Sequence, residues 1–347
     1  MTFIPVKRYN FVMEASTAQR GIRSVEPIYF NRYGAYFRSD CLRFLDLLRS
    51  ESIDFCFADP PFNLGKNYGD PSFEDNNGVD EYRRWCKRWL NAVIRVLKPG
   101  GTLCVYHLPR WALDLGAWLN ERGDVTLRNL IAVKMKNGFP IRGRLHPALY
   151  TILYYTKTGG HATFNIVRQR APTCRNCNAV LPDYGGYRKK YEKFQDDLGV
   201  PWIQISDFWE DTRPANQDKA RRVRVNELPL HIPERAILMA TNKHDIVLDI
   251  FAGGGSTLHA AQVHERLWVG CDIGDPTPCL RRFATVFGRV DVSEPHRKIA
   301  KCFKTGALLP LVRQKRKAHL IRRVRTLPNK KSLLNIDLQS KSRVLGF

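Results

Sequence analysis

The chain has 347 residues, with 56 Lys and Arg against 33 Asp and Glu and a formal net charge of +23. Hydrophobic residues at 44% and aromatics at 11% exclude a disordered chain and suit one large domain with an insertion, or two modest domains. The cation excess calls for a polyanion, and nucleic acid is favoured over a membrane because no apolar run approaches the ~20 residues of a spanning helix. Met1–Phe11 lacks the pattern of a signal peptide, and nine scattered cysteines fit reduced thiols in a cytoplasmic protein.

In chain order, Tyr36–Asp40 reads as a short strand ending on an acid, and Cys41–Arg49 as a helix with Leu42, Leu45, Leu47 and Leu48 at helical spacing. Ile53–Ala58 is an apolar strand that stops at Asp59-Pro60-Pro61-Phe62. A helix is expected over Glu81–Leu97, ended by a turn at Lys98-Pro99-Gly100-Gly101. Thr102–Leu108, Thr126–Lys134 and Leu149–Thr156 read as strands. From His161 to Asn216 the pattern dissolves into turns, aromatics and charges. It resumes with a helix around Leu228–Thr241, a strand Ile246–Ile250, the turn Gly253-Gly254-Gly255, a helix from Ser256 and a strand Leu267–Cys271 ending at Asp272. Strands alternating with helices predict a mostly parallel sheet covered on both faces. From Arg297 to Phe347 there are fifteen Lys or Arg against the single acid Asp337, which reads as a flexible or weakly helical basic tail.

Two places carry chemistry. A carboxylate at the carboxyl end of a buried strand faces the crevice where open α/β sheets bind ligands, and Asp59 stands there. Two prolines follow it and hold the Pro60 carbonyl out of any helix, although Asp-Pro-Pro also suits a plain turn. The second place is Asp249-Ile-Phe251-Ala-Gly253-Gly-Gly255-Ser256-Thr257. Glycines between strand and helix let a ligand lie against backbone at the positive end of the helix. Asp272, about twenty residues on, holds the position of a ribose-binding acid.

Together these segments resemble the DNA amino-methyltransferases acting on adenine N6 or cytosine N4, in the permuted (beta-class) order with the catalytic motif first. The likeness extends to Ser39-Asp40-Cys41-Leu42, the stretch Asp59–Asp70, Leu97–Thr102, Asp183–Tyr187, Asn226–Pro229 with Glu234-Arg235, and Val247–Gly253. Ile250 departs from a common proline and Gly254 from a common serine. The resemblance implies a Rossmann-like α/β methyltransferase with a central seven-stranded, mostly parallel sheet and an inserted target-recognition region. Its divisions would be an N-terminal extension (1–34), a catalytic half (35–158), the insertion (159–220), a cofactor half (221–292) and the basic tail (293–347).

The implied activity is site-specific methylation of adenine N6 in DNA by S-adenosylmethionine. The alternatives are cytosine N4, or a silent DNA-binding protein of the same fold. By resemblance, the Asp59 carboxylate and Pro60 carbonyl accept the two amine hydrogens, beside Pro61, and Phe62 stacks on a base turned out of the duplex. Gly253, Gly255 and Phe251 lie beside the amino acid part of the cofactor, Asp272 binds its ribose and Asp40 its adenine. Ser256 is either a contact or a helix cap. Lys66 and Tyr68 would close over the base. Arg188, Lys189 and Lys190, with Tyr184, Tyr187, Tyr191, Trp202 and Trp209 around them, would read DNA, the other reading being an aromatic mini-core. Pro278-Cys279 reads as a helix start in preference to a cytosine-C5 nucleophile. Cys174 and Cys177 have half the spacing of a zinc site without a second pair, so no metal is expected. DNA is the implied partner, and a cognate restriction endonuclease is left open.

Overall fold

The structure is a computed structural model that describes residues 25–65, 76–134, 142–143, 145–171, 173–174, 176–177, 200, 202–210, 228–287 and 297–305. Its strands are β1 Tyr29–Asn31, β2 Gly34–Arg38, β3 Ile53–Ala58, β4 Leu97–His107, β5 Val125–Lys134, β6 Leu149–Lys157, β7 Arg168–Arg170, β8 Trp202–Gln204, β9 Phe208–Trp209, β10 Ile246–Asp249 and β11 Leu267–Asp272. The helices, numbered here in chain order, are α1 Cys41–Leu47, α2 Val79–Val96, α3 Pro109–Asn120, α4 His231–Ala240, α5 Ser256–Val263, α6 Thr277–Val286 and α7 Arg297–Lys301.

Nine strands form one sheet in the order β1-β2-β11-β10-β3-β4-β6-β5-β9, and β7 and β8 make a separate pair. The expected α/β class holds, but the strand count does not. Seven strands, β2 through β5 in sheet order, form the middle, and β1 and β9 extend the two edges. β2, β11, β10, β3 and β4 run parallel, whereas β6 is antiparallel to both β4 and β5.

Strand alternation sorts the core into two layers. On one face Cys56, Ala58, Leu248 and Val269 meet α1, α2, α3 and α7 through Phe44, Trp89, Leu115 and Ile299. On the other Phe55, Phe57, Val247 and Trp268 meet α4, α5 and α6 through Ala236, Leu258 and Phe283. The result is a helix–sheet–helix sandwich, as buried parallel strands require.

The differences from expectation have local causes. The helix does stop at Leu97, but Lys98-Pro99-Gly100-Gly101 enters β4 at once as an irregular start, with Ile53 opposite Leu97 and Phe55 opposite Thr102. Gly100 is needed there: its φ is +80, and a Cβ would meet the His161 carbonyl oxygen at 2.3 Å. The sheet also begins at Tyr29, inside the stretch expected as an extension. At the other end, the short helix α7 at Arg297–Lys301 agrees with the weakly helical reading of this stretch and not with the flexible one. Ile299, Cys302 and Phe303 are buried, Leu48 bridges Phe303, and Arg49 Nε donates to the Phe303 carbonyl at 2.7 Å.

Candidate active site

Registers bring the two motifs together. Val247 lies opposite Phe55 and Leu248 opposite Cys56, so β10 and β3 are parallel neighbours. Their carboxyl ends, Asp249 and Ala58, release the glycine turn and Asp59-Pro60-Pro61-Phe62 on the same edge of the sheet. β11 and β2 flank β10 in the same direction. Along that edge therefore stand Asp40, Asp272, the glycine turn and Asp59, from strands drawn from both ends of the chain. Neighbouring strands lie ~5 Å apart, so the four positions lie side by side on the edge where open α/β sheets bind ligands.

The glycine turn is held by carboxylates. Asp249 is buried, and its Oδ1 accepts the Phe251 N–H at 3.0 Å. Burial pushes its carboxyl up to about 7, against the opposing bonds from Thr257 and Phe251. Asp272 accepts Gly253 N–H on Oδ2 and Gly274 N–H on Oδ1, both at 2.7 Å, and burial raises its pKa too. Gly253 and Gly255 have φ of +46 and +75, a region that side chains other than glycine rarely adopt. Gly255 is the N-cap of α5. Ser256 is buried, follows the N-cap as the first residue of α5 and donates its hydroxyl to the Leu228 carbonyl at 2.9 Å, so it is not the helix cap. Asp40 caps α1, accepting Arg43 N–H at 3.0 Å. Phe251 lies within 5.7 Å of Trp85 and 5.3 Å of Trp89, ring centre to ring centre.

The Asp59–Phe62 turn is held by its carbonyls. Trp111 Nε1 donates to the Phe62 carbonyl at 3.1 Å and the Tyr82 hydroxyl to the Pro61 carbonyl. No described residue donates to the Pro60 carbonyl, the expected amine acceptor. Asn63 follows with φ +56 and bonds Asn77 in both directions, at 2.8 and 2.9 Å. Phe62 is buried, stacked on His107 with ring centres 4.9 Å apart and flanked by Tyr106 and Tyr150. Tyr106 and Tyr150, which the sequence did not single out, face Asp59 closely enough for its charge to add to burial in raising both hydroxyls. Their alternation with apolar neighbours made them look like ordinary strand residues.

Several expected residues fall elsewhere. Lys66, Tyr68, Arg188, Lys189, Lys190, Tyr184, Tyr187 and Tyr191 lie outside the described residues. Trp209 is not a reading residue: it is buried in β9, beside β5, with Arg235 over its ring at 5.5 Å. Trp202 is half-buried in β8. Cys279 is buried in α6 with its thiol pKa pushed well up, so it offers no nucleophile. Cys177 is exposed and Cys174 half-exposed, and among the described residues no three His, Cys, Asp or Glu gather as metal ligands. Nor is any described helix long and apolar enough to cross a membrane.

Comparison with known proteins agrees with this layout. The DNA methylase (N6/N4 methyltransferase) family profile matches residues 53–276. The type II methyltransferase M.BamHI of Bacillus amyloliquefaciens is 37% identical over 254 residues, which are 73% of this chain and 58% of that protein. The chain thus spans well under two thirds of that relative. The type II methyltransferase M.HpaI of Haemophilus parainfluenzae is 28% identical over 235 residues, 68% of each chain. Among solved structures, the PvuII DNA methyltransferase (cytosine-N4-specific) has the same fold, with a TM-score of 0.54 and 16% identity over 80% of this chain and 98% of that one. With both motifs on one sheet edge and the profile running through them, the chain belongs to the N6/N4 DNA methylase family.

Proposed function

We propose that the protein transfers a methyl group from S-adenosylmethionine to an exocyclic base amine in DNA, with adenine N6 as the acceptor. The observation that carries this reading is the adjacency of β3 and β10, whose carboxyl ends release Asp59 and the glycine turn on one edge of the sheet.

The residues present fit the cofactor. Gly253 leaves open space at the head of α5, where a Cβ would meet nothing nearer than the Phe251 carbonyl oxygen at 3.9 Å, and Asp272 is held by two backbone N–H groups with lone pairs remaining for ribose hydroxyls. Asp40 stands two strands away from the turn, on the side assigned to the adenine ring. The cofactor supplies an already activated methyl group on a sulfonium. What remains for the chain is to orient the amine, whose lone pair is delocalised into the base. The Asp59 carboxylate and the Pro60 carbonyl accept the two amine hydrogens, turn the lone pair toward the methyl group and stabilise positive charge developing on nitrogen. The extra hydrogen leaves nitrogen toward Asp59. No covalent intermediate is required, in keeping with the buried Cys279.

DNA as the substrate follows from the family and from the charge of +23, since phosphate neutralisation supplies much of such affinity. A base inside the duplex cannot reach the crevice and must turn out of it. Adenine is chosen because Asp opens the Asp59–Phe62 motif. Cytosine N4 offers the same donors to the same acceptors, so nucleoside analysis after labelled-methyl transfer into plasmid DNA decides. N6-methyladenine supports the full reading. N4-methylcytosine moves the acceptor to cytosine and keeps the amine chemistry. Absence of either, or an Asp59→Ala protein as active as the parent, would overturn it. A cognate endonuclease and a cytoplasmic location are further expectations of the same reading.

A further inference from the structure

Behind the catalytic turn lies a chain of hydrogen bonds whose direction can be worked out atom by atom. The Leu108 backbone N–H donates to His107 Nδ1 at 2.9 Å, so that nitrogen carries no proton. His107 is fully buried, and burial, with the nearby Arg110 charge, lowers its pKa to about 3. The imidazole is therefore neutral, and its one proton sits on Nε2. That nitrogen lies 2.7 Å from the Tyr82 hydroxyl oxygen, to which it donates. The Pro61 carbonyl can only accept, so Tyr82 spends its own proton there. Each bond in this chain has one direction, fixed at the far end by a peptide N–H that cannot move.

We infer that His107 and Tyr82 are positioning residues for the methyl-transfer step, a relay from the end of β4 through α2 that sets the orientation of the Asp59–Phe62 turn. The Pro61 carbonyl is one peptide from the Pro60 carbonyl, so fixing the first constrains the second. The same imidazole backs the Phe62 ring at 4.9 Å, and the His107 carbonyl is itself held by the Thr151 hydroxyl at 2.9 Å. Trp111, ring to ring with Tyr82 at 4.5 Å, holds the next carbonyl. Neither Tyr82 nor His107 needs to touch a base. Misplacing a reacting group by a fraction of an ångström is costly, which is what such a support prevents.

This inference rests on the amine-methylation reading, and its test separates the two. Tyr82→Phe keeps the ring and removes the relay's middle hydroxyl. It should lower kcat for methyl transfer by roughly 10- to 100-fold while the S-adenosylmethionine Kd, measured by calorimetry, stays within about twofold of the parent, a split that general destabilisation would not produce. His107→Gln can return a side-chain N–H to the Nε2 position, whereas His107→Asn is too short, so Gln should retain more kcat than Asn. Independently of turnover, 15N NMR of the parent should show His107 with a bare Nδ1 and a protonated Nε2 at neutral pH, and the Nε2–H signal should shift in Tyr82→Phe. A Tyr82→Phe kcat within about twofold of the parent, or an Nδ1–H imidazole, would overturn the relay. A parent that methylates no DNA yet shows the NMR signature would overturn the function and leave the hydrogen-bond chain standing.

Discussion

Gly255 offers a quantitative check on the glycine turn and its proposed cofactor role. Its φ of +75 and ψ of 25 lie in the left-handed region, and a Cβ there would meet Cys279 Sγ at 2.7 Å. Gly255→Ala therefore carries two penalties. Backbone strain costs ~1–3 kcal/mol, and forcing a methyl onto a fully buried thiol adds ~1–3 kcal/mol of overpacking. Together these are about 2–6 kcal/mol, a large part of the ~5–15 kcal/mol that holds a typical domain. Cys279→Ala alone leaves a small cavity and costs ~1–2 kcal/mol. In the double variant the overlap disappears but the strain remains, so the two changes should sum to less than their separate costs. Urea denaturation of the four proteins measures the coupling, and calorimetry follows S-adenosylmethionine affinity, which should fall in both proteins that carry Gly255→Ala. Strict additivity, or a Gly255→Ala protein as stable as the parent, would refute the close approach of α6 to the turn.

Phe303→Ala removes a ring packed 5.4 Å from Phe37 and 6.1 Å from Phe44; it should cost ~3–5 kcal/mol in denaturation and leave cofactor affinity intact, because Phe303 bridges to Leu48, away from the carboxyl edge. Asp249 has its carboxyl raised from 3.8 to about 7, so the folded state holds a proton the unfolded chain releases. Stability then declines as pH rises through that window, by ~4 kcal/mol at 1.36 kcal/mol per unit, and Asp249→Asn should flatten the decline in pH-dependent denaturation; parallel curves would exclude it. For the same group, a cationic sulfonium at the turn favours ionisation. Cofactor binding near pH 7 should thus release protons, seen as a dependence of calorimetric enthalpy on buffer, and a buffer-independent enthalpy would separate Asp249 from the ligand's charge.

The elements carrying a strong local signal were legible in the sequence. β3 and α5 begin where expected, because an apolar run ending at Asp-Pro-Pro and a glycine turn ahead of Ser256 admit few alternatives. α3 was missed although Trp111, Ala112, Leu115 and Leu119 share its buried face. Gly116 interrupts its pattern, and that glycine lies where Tyr155 donates to its carbonyl at 3.2 Å. β9 is two residues long and gains its place from pairing with β5, which no local pattern can announce. The adjacency of the two motifs was expected from the family's topology, and only the registers display it. The supports of the turn were illegible for a different reason. Tyr82 reads as the apolar face of a helix and His107 as the end of a strand, Trp111 lies in the helix that was missed, and only tertiary packing aims Tyr82 and Trp111 at the Pro61 and Phe62 carbonyls and sets His107 behind Tyr82.

Charge is divided in this protein with opposite signs at two scales. The whole chain carries +23, yet the crevice edge collects Asp40, Asp272, Asp249 and Asp59 on four strand ends, and two of these are raised by burial. On the proposed reading a cationic cofactor is served by the local acids and a polyanion by the cations outside them, so the two ligands should respond differently to salt. Exposed cations are screened, and log K for DNA falls steeply with log salt as counterions return to the phosphates. The carboxylate of Asp272, half-buried and held by two peptide N–H groups, is screened less. Between 50 and 200 mM salt DNA affinity should drop by on the order of 10³-fold or more, the scale for six or more phosphate contacts, while cofactor Kd changes by less than about threefold. Equal salt sensitivity of the two would mean that the acids on the edge act through the same solvent-exposed field as the cations, and that the crevice is not the separate, desolvated compartment that methyl transfer to an amine requires.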